Sequence, residues 1–197
     1  MSRYYTIYKP FNVLSQFTSK DGKRTLKDFF EVPPDVYPVG RLDYDSEGLL
    51  ILTDDHSLNH QLLHPAHQHE RGYFVQVERE ITAAAVEELK KGVVITIDSG
   101  RYQTKPCFAE SIPQPSFIPE RDPPIRFRKS IPVSWLRLVL TEGKNRQVRK
   151  MTAHVGFPTL RLIRYRIGGV TLNQMQPGEM KSLSRAEIYN LLQIHKK

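Results

Sequence analysis

The sequence predicts an α+β fold in which helices flank a central sheet that is mostly antiparallel or mixed. Short apolar runs, such as residues 49–52, have the length and composition of buried strands. Segments with apolar residues at helical spacing, such as 145–155, lie between these runs. Because the strands and helices do not alternate regularly, a doubly wound parallel sheet is disfavoured.

The elements follow from local patterns along the chain. Apolar runs predict strands at residues 4–8, 49–52, 72–77, 93–97, 135–140 and 159–167. Periodic patterns predict helices at residues 25–30, 57–63, 82–90, 145–155 and 184–195. Thr82 is suited to begin the third helix and Gly92 to end it. The proline-rich residues 112–132 are expected to form an extended surface insertion.

Composition restricts the function classes. The net charge of +8 and the pI of about 9.6 are typical of a protein with a nucleic-acid partner. A hydrophobic content of 39% in 197 residues is enough for one domain, residues 1–197, built as two joined lobes. Because the sequence has no apolar run of about 18 residues and no apolar signal region after Met1, we expect a chain that is neither membrane-spanning nor secreted. The single Cys107 excludes an intrachain disulfide and fits a reducing cytoplasm.

The most informative segment is residues 40–55, GRLDYDSEGLLILTDD. Asp43 lies close to Arg41, between two glycines and ahead of the apolar run. Glycine permits bends that other residues resist, so Asp43 is expected on a bend at the edge of the core. A carboxylate in that position is presented for chemistry, although a solvated loop between two glycines is the alternative interpretation.

A calcium loop is a second alternative for this segment. Asp43, Asp45, Glu47 and Gly48 match positions 1, 3, 5 and 6 of an EF-hand, and Asp54 falls at position 12. The prolines within residues 32–38 disfavour the entering helix that an EF-hand needs. Glutamate at position 5 and aspartate at position 12 also depart from that pattern, so calcium binding is disfavoured.

A second segment, residues 136–151, begins as a strand, turns at Gly143 and continues as a helix. Its apolar stripe consists of Val148, Met151 and Val155, and the basic side chains lie off that stripe. From Lys144 to Arg166 there are seven Lys or Arg and no Asp or Glu. A solvated basic helix is the ordinary interpretation, but a surface of a single sign over this length favours a polyanionic partner.

Together these motifs resemble the pseudouridine synthases, in the branch that comprises RsuA, RluB, RluE and RluF. Further matches are KPFNVLS at residues 9–15, RGYFV at 71–75, and residues 156–164 followed by Gly168. The resemblance covers nearly all 197 residues. Arg71, Gly72 and Lys144 depart mildly from the family pattern. Because the KPFNVLS motif begins at residue 9, we expect no S4-like RNA-binding domain of the kind that many relatives carry, and the compact length is most similar to the RluE group.

The resemblance implies a fold of two lobes around a catalytic cleft. It also implies that the protein isomerises a specific uridine to pseudouridine in ribosomal RNA, with the 23S RNA of the large subunit favoured. The target uridine would be flipped out of the RNA. An isomerisation needs no redox cofactor, nucleotide or metal, so we expect no cofactor. We expect a monomer in the cytoplasm.

The resemblance also assigns three catalytic residues. Asp43 corresponds to the catalytic carboxylate that follows Arg-Leu. Arg149 corresponds to the salt-bridge partner that keeps Asp43 ionised in a dry pocket; a phosphate contact is the alternative. Tyr73 corresponds to the aromatic platform for the base, and its phenol has a proton to exchange; a tyrosine packed in the core is the alternative.

Basic residues are the candidates for RNA binding. Arg41 is expected to fill the space that the flipped base leaves, or to hold the flanking phosphate. The remaining candidates for phosphate contacts are Lys9, Lys144, Arg146, Lys150, Arg161, Arg164 and Arg166.

Three further hypotheses concern other chemistry. His56, His60 and His64 recur every four residues, as in a zinc-binding helix, but without an accompanying carboxylate or Cys ligand we favour an RNA-facing row and no metal. A glycosidase would need a second catalytic carboxylate, for which Glu142 is the candidate, although its place before Gly143 indicates a turn. An RNA-binding module that has lost catalysis would be indicated by a change at Asp43, Tyr73 or Arg149, and all three are present.

Overall fold

The structure is a computed structural model that describes residues 2–19, 21–125 and 131–194. Within these ranges the strands are β1 (Tyr4–Lys9), β2 (Tyr37–Pro38), β3 (Glu47–Thr53), β4 (Arg71–Glu78), β5 (Val94–Ile97), β6 (Gly100–Gln103), β7 (Phe108–Ile112), β8 (Val133–Leu140), β9 (Thr159–Ile167), β10 (Val170–Thr171) and β11 (Met180–Leu183). The α-helices are α1 (His56–Leu63), α2 (Ala83–Lys91), α3 (Gln147–His154) and α4 (Arg185–Leu191). Short 3-10 turns occur at Leu26–Asp28 and Pro65–His67. The predicted α+β class is confirmed.

The chain divides into two compact units, each with its own core. Unit 1 comprises Met1–His69 and Arg164–Lys197, and unit 2 comprises Glu70–Ile163. Strand β9 crosses this division, so its residues 159–163 belong to unit 2 and its residues 164–167 to unit 1.

In unit 1, β1 lies between β11 and β3 and is antiparallel to both. The short β2 pairs with the end of β3, where Tyr37 is opposite Thr53, so the chain between them forms a hairpin. Strand β3 is buried along its whole length, which explains its continuous apolar run. The buried core of unit 1 includes Ile7, Val13, Leu26, Phe30, Val36, Leu50 and Leu52.

In unit 2, β8 lies between β4 and β7 and is antiparallel to both. Strands β5 and β6 form a separate antiparallel hairpin. Helix α2 is capped by Thr82, whose Oγ1 accepts a hydrogen bond from the Ala85 amide at 3.2 Å. Cys107 lies beside this helix and its Sγ donates to the Leu89 carbonyl at 3.2 Å. The buried core includes Val75, Val77, Leu89, Leu136, Leu138 and Met151.

All six predicted strands are present with small shifts at their ends, and four of the five predicted helices form. The predicted helix at residues 25–30 is wrong: Thr25 and Asp28 cap a single 3-10 turn that ends after three residues. Helix α4 ends at Leu191, and residue 195, the predicted end, lies outside the described residues. Residues 126–130 of the proline-rich insertion also lie outside them, and residues 113–125 contain no strand or helix. No helix of the described chain is long and apolar enough to cross a membrane.

Candidate active site

Asp43 lies in unit 1 on the segment that joins β2 to β3, residues 40–46, which we call the carboxylate loop. The Val39 amide donates to the Ile51 carbonyl at 2.8 Å and closes the hairpin, and the Ser46 amide donates to the Asp43 carbonyl at 3.1 Å. The loop therefore turns at Asp43 before β3 begins. The side chain of Asp43 is half-buried. A bend at the edge of the core, as the sequence predicts, is what the structure contains.

Gly48 fixes the far end of this loop against β9. Its φ of +110° lies in a region that side-chain-bearing residues rarely adopt. A Cβ built at this position would lie 2.3 Å from the carbonyl oxygen of Arg164. Only glycine permits so close an approach of the two backbones directly after the carboxylate loop.

Ser15 holds the residue that precedes Asp43. Its Oγ donates to the Leu42 carbonyl at 2.8 Å and accepts from the Leu42 amide at 3.0 Å. Ser15 and Leu42 are both buried, so these two hydrogen bonds are shielded from water. Sequence reasoning missed this role, although Ser15 belongs to the quoted KPFNVLS motif.

Lys9 is wholly buried beside the same loop, with 0% of its surface exposed. Its Nζ donates to the carbonyls of Pro10 at 2.9 Å and Val13 at 2.7 Å. Burial lowers the pKa of Lys9 to about 7, although the carboxylates of Glu47, Asp45 and Asp43 oppose that shift. The ammonium group of Lys9 is thus engaged with carbonyls inside unit 1, which disfavours a surface phosphate contact, and its expected role in RNA binding stays a prediction.

Two arginines of the expected phosphate track are also buried. Arg164, in unit 1, donates from Nε to the Leu49 carbonyl at 2.9 Å. Arg161, in unit 2, donates from Nη1 to the Pro119 carbonyl at 2.8 Å and so holds the proline-rich segment. Each exposes about a twentieth of its surface. Their burial disfavours contact with a phosphate at the surface, and a role of either residue in RNA binding stays a prediction.

Tyr73 lies on β4 of unit 2, opposite Leu138 of β8. Only 9% of its surface is exposed, and it belongs to the buried core of that unit. Its ring is thus supported by packing on the strand, which suits both a rigid platform and a core tyrosine. Its role as a platform for the base stays a prediction.

Arg149 lies on α3 of unit 2 and is half-buried. Its Nη1 donates to the Thr159 carbonyl at 3.4 Å. The Oγ1 atoms of Thr152 and Thr159 are 2.7 Å apart, which ties the same helix to the start of β9. The guanidinium is therefore carried on a helix that is fixed at several points, and its expected pairing with Asp43 stays a prediction.

Glu142 anchors the turn that precedes α3. Its carboxylate accepts hydrogen bonds from the Tyr102 hydroxyl at 2.5 Å, the Lys105 amide at 2.9 Å and the Gln147 amide group at 2.6 Å. Burial alone would raise the pKa of Glu142, but these hydrogen bonds outweigh it and hold that pKa below its ordinary value. A glycosidase acid needs a raised pKa, so the structure assigns Glu142 to the turn instead.

The remaining basic candidates are more accessible. Lys144 and Arg146 are exposed, Lys150 is half-buried, and all three belong to unit 2. Arg146 adopts a left-handed conformation, φ +53°, directly before α3, which sets the direction of its side chain. In unit 1, Arg41 is exposed, and half-buried Arg166 donates to the Gly168 carbonyl at 3.3 Å.

The metal hypotheses find no support. The strand β2 occupies the place where an EF-hand would need its entering helix. Within the ranges that the structure describes, no group of three or more His, Cys, Asp or Glu side chains is arranged to hold a metal ion.

A family model described as RNA pseudouridylate synthase matches residues 3–154, which include the carboxylate loop, Tyr73 and Arg149. The chain belongs to the RNA pseudouridylate synthase family. It is 50% identical to "Ribosomal large subunit pseudouridine synthase E" of Vibrio vulnificus (strain CMCP6). The aligned 176 residues cover 89% of this chain and 73% of that protein. A protein of the same name from Xanthomonas axonopodis pv. citri (strain 306) is 49% identical, over 86% of this chain and 87% of its own length.

A solved structure agrees with this membership. "Crystal structure of pseudouridylate synthase" superimposes with a TM-score of 0.78 at 26% identity, over 97% of this chain and 74% of that one. The protein is therefore an RNA pseudouridine synthase, an isomerase, and the resemblance that its motifs indicated is confirmed.

Proposed function

We propose that this pseudouridine synthase isomerises a specific uridine in the 23S ribosomal RNA of the large subunit. Four relatives named "Ribosomal large subunit pseudouridine synthase E" are 46–50% identical to it over most of the chain, which supports this substrate class. The net charge of +8 supports a polyanionic substrate as well.

The reaction sets the demands on the site. The N1–C1′ bond of uridine breaks, the uracil turns, and a C5–C1′ bond forms. The C5 proton leaves and N1 gains a proton, so atoms and electrons balance within the nucleotide and one proton relay. The reaction therefore requires a nucleophile or base and a way to move a proton, and it requires no redox partner.

The position of Asp43 carries the proposal. Its carboxylate is half-buried on a loop whose backbone is held by Ser15 on one side and Gly48 on the other. A carboxylate fixed in this way suits nucleophilic attack on an electron-poor carbon followed by proton transfer. Glycosidases use carboxylates on a similar bond for related reasons. We therefore assign Asp43 the role of catalytic carboxylate.

Arg149 and Tyr73 complete the proposed catalytic set. A cation near Asp43 favours the ionised carboxylate when water is excluded, and Arg149 is assigned this role. The ring of Tyr73, fixed by the packing of β4, is assigned the role of a surface on which the uracil lies, and its hydroxyl is assigned the proton exchange.

The RNA must present its uridine outside the stack, because a stacked base does not reach a half-buried carboxylate. Flipping costs a few kcal/mol of unstacking, and we assign Arg41 to the vacated space or the flanking phosphate. The exposed Lys144 and Arg146, with Lys150 and Arg166, are assigned to phosphates. We further propose that the enzyme acts as a monomer in the cytoplasm.

The test is tritium release from 5-tritiated uridine in 23S and 16S ribosomal RNA transcripts, because formation of the C5–C1′ bond expels the C5 hydrogen. The wild type is expected to release tritium from the 23S transcript only. Asp43→Asn keeps the shape of the side chain and loses its charge, so turnover is expected to fall by at least about 10³-fold while RNA affinity changes little.

Asp45→Asn is the matched control, because Asp45 is also a half-buried carboxylate of the same loop that faces Lys9. It is expected to retain turnover within about fivefold. Normal tritium release by Asp43→Asn would overturn the catalytic assignment. Release from the 16S transcript alone would overturn the substrate.

A further inference from the structure

A row of four histidine rings lies on unit 1 where α1 ends. The ring centroids of His60 and His64 are 5.3 Å apart, those of His64 and His67 are 5.5 Å apart, and those of His67 and His69 are 6.1 Å apart. We call these four residues the histidine row. His60, His64 and His67 are exposed, and His69 is half-buried.

Neighbouring rings of the row contact each other in tilted or edge-on geometry and are not stacked in parallel. The planes of successive pairs are tilted by 37°, 61° and 39°, so no ring lies flat on its neighbour. Aromatic pairs at these separations prefer tilted or offset contacts. Three of the four rings also belong to exposed residues, so the row is accessible from solution.

The row is built by the local fold and is not an accident of one flexible side chain. Leu58 and Leu62 bury the opposite side of α1, which fixes the helix against the core. The His64 Nδ1 accepts a hydrogen bond from the Ala66 amide at 3.3 Å, which holds that ring where the helix passes into the following 3-10 turn. The order of the rings thus follows from the backbone.

The same end of α1 touches the start of the carboxylate loop. The Cδ2 atom of Leu63 lies 3.0 Å from the position that a Cβ on Gly40 would occupy. Leu63 is itself 47% exposed, between His60 and His64 in the sequence. The exposed imidazole rings and Leu63 therefore lie at the end of α1 that contacts the start of the carboxylate loop.

We propose that the histidine row is a stacking platform for unpaired bases that flank the target uridine. The proposal rests on the proposed function, since it names how the same RNA is held. Nucleotides next to a flipped base are unstacked, and proteins stack such bases on aromatic side chains, histidine included. Stacking uses the face of the ring, so the platform serves through aromatic surface and not through charge.

The first test compares variants of His60 and His64 in the tritium-release assay on the 23S transcript. Because the alanine side chains offer no ring for a base to stack on, His60→Ala/His64→Ala is expected to raise KM about tenfold and to leave kcat within about twofold. His60→Phe/His64→Phe keeps flat rings and is expected to restore KM to within about twofold of the wild type. His154→Ala, which removes an exposed histidine of α3 outside the row, is the matched control and should behave as the wild type.

Other outcomes identify other chemistry. Restoration of KM by His60→Lys/His64→Lys but not by the phenylalanine pair would overturn stacking in favour of a cationic contact. Loss of RNA affinity in EDTA by the wild type, but not by the alanine pair, would overturn it in favour of a metal. An unchanged KM in the alanine pair would overturn any role of the row in RNA binding.

A second measurement does not depend on turnover. Oligoadenylate of about 12 nucleotides, within the site sizes that single-strand binders cover, is added to the protein, and the histidine Cε1–H signals are followed by NMR. Stacked bases are expected to shift the signals of the row upfield and to leave that of His154 in place, whereas an abasic oligomer of the same length should shift none. Turnover without these shifts would overturn the platform alone, and shifts without turnover would leave the platform standing while the proposed function failed.

Discussion

The two charged motifs of this protein differ in whether their cationic side chains are buried or exposed. Around the carboxylate loop, Lys9 and Arg164 are buried and donate to backbone carbonyls. In the segment that precedes α3, Lys144 and Arg146 are exposed. The sequence alone does not distinguish these two pairs of cations, yet one pair is buried in the scaffold and the other is exposed at the surface.

Both motifs are nevertheless held by hydrogen bonds from polar side chains to backbone groups. Ser15 forms hydrogen bonds to both the amide and the carbonyl of Leu42, next to Asp43. Glu142 and Gln147 bond to each other and to nearby backbone amides ahead of Arg149. In each case a polar side chain satisfies the backbone of a turn that would otherwise have no regular structure. The backbone next to each proposed catalytic residue is thus held by polar side chains to which we assign no catalytic role.

The largest expected effect concerns the buried Lys9 and the dependence of the unfolding free energy on pH. In the unfolded chain Lys9 has a pKa near its ordinary value, whereas burial lowers its pKa to about 7 in the folded protein. Between these two values the unfolded state binds the extra proton, so the wild type should gain stability as pH rises from about 7 to about 9.5. In Lys9→Met that gain is absent, and the difference in unfolding free energy between the two proteins should change by on the order of 3 kcal/mol over this range.

The measurement is urea unfolding of both proteins at the two ends of this pH range. Lys27→Met removes an exposed lysine of unit 1 and should show no such pH-dependent difference from the wild type. A difference between wild type and Lys9→Met that is constant with pH would contradict the burial of an ionisable amine.

The next prediction tests whether Ser15 positions the loop that carries Asp43 or only stabilises the fold. Ser15→Ala removes both hydrogen bonds from Leu42, and the loop that carries Asp43 should lose its fixed geometry. We expect kcat to fall about tenfold, with KM within about twofold, because a bond of this kind contributes about 1–2 kcal/mol. Tritium release under saturating and limiting RNA gives the two constants.

Ser134 offers a close match in unit 2, because its Oγ donates to the Arg79 carbonyl at 2.8 Å and accepts from the Ile81 amide at 3.0 Å. Ser134→Ala should lower the stability by a similar amount and leave kcat unchanged. Equal losses of kcat in both variants would mean that Ser15 acts through stability alone.

The smallest expected effect concerns the exposed Lys144 and Arg146 and the affinity for RNA. The double variant Lys144→Gln/Arg146→Gln should bind the 23S transcript a few-fold more weakly at about 0.1 M salt. The slope of log affinity against log salt should become shallower by about 0.7–0.9 for each phosphate that the variant no longer neutralises. Lys91→Gln, an exposed lysine at the end of α2, should leave the slope unchanged. A slope that the double variant does not alter would remove both residues from the RNA surface.

Much of the fold could be predicted because its central strands carry strong local patterns. Strand β3 is buried throughout, so its apolar run identified it. Strands such as β6 and β11 were missed, because they are short, polar and largely exposed, and only pairing with a neighbour makes them strands. The predicted helix at residues 25–30 failed because a capping pair can also close a single turn.

Only part of the candidate site could likewise be predicted from the sequence. The bend at Asp43 followed from two glycines and an apolar run. The burial of Arg161 and Arg164 did not follow from charge, although the apolar Leu162 and Ile163 between them indicate a strand covered on both faces. Ser15 carried no signal of its own, because a hydrogen bond to a backbone 27 residues away depends on the tertiary fold.

Cys107 has a practical consequence. Burial raises the pKa of its thiol to about 11, and its Sγ already donates to a helix carbonyl. The thiolate is the reactive form, so this single cysteine should react very slowly with maleimides at neutral pH. A cysteine placed at Arg41 or His60 would therefore take up a fluorophore or spin label without prior removal of the native one, and RNA engagement could be followed from a single labelled position.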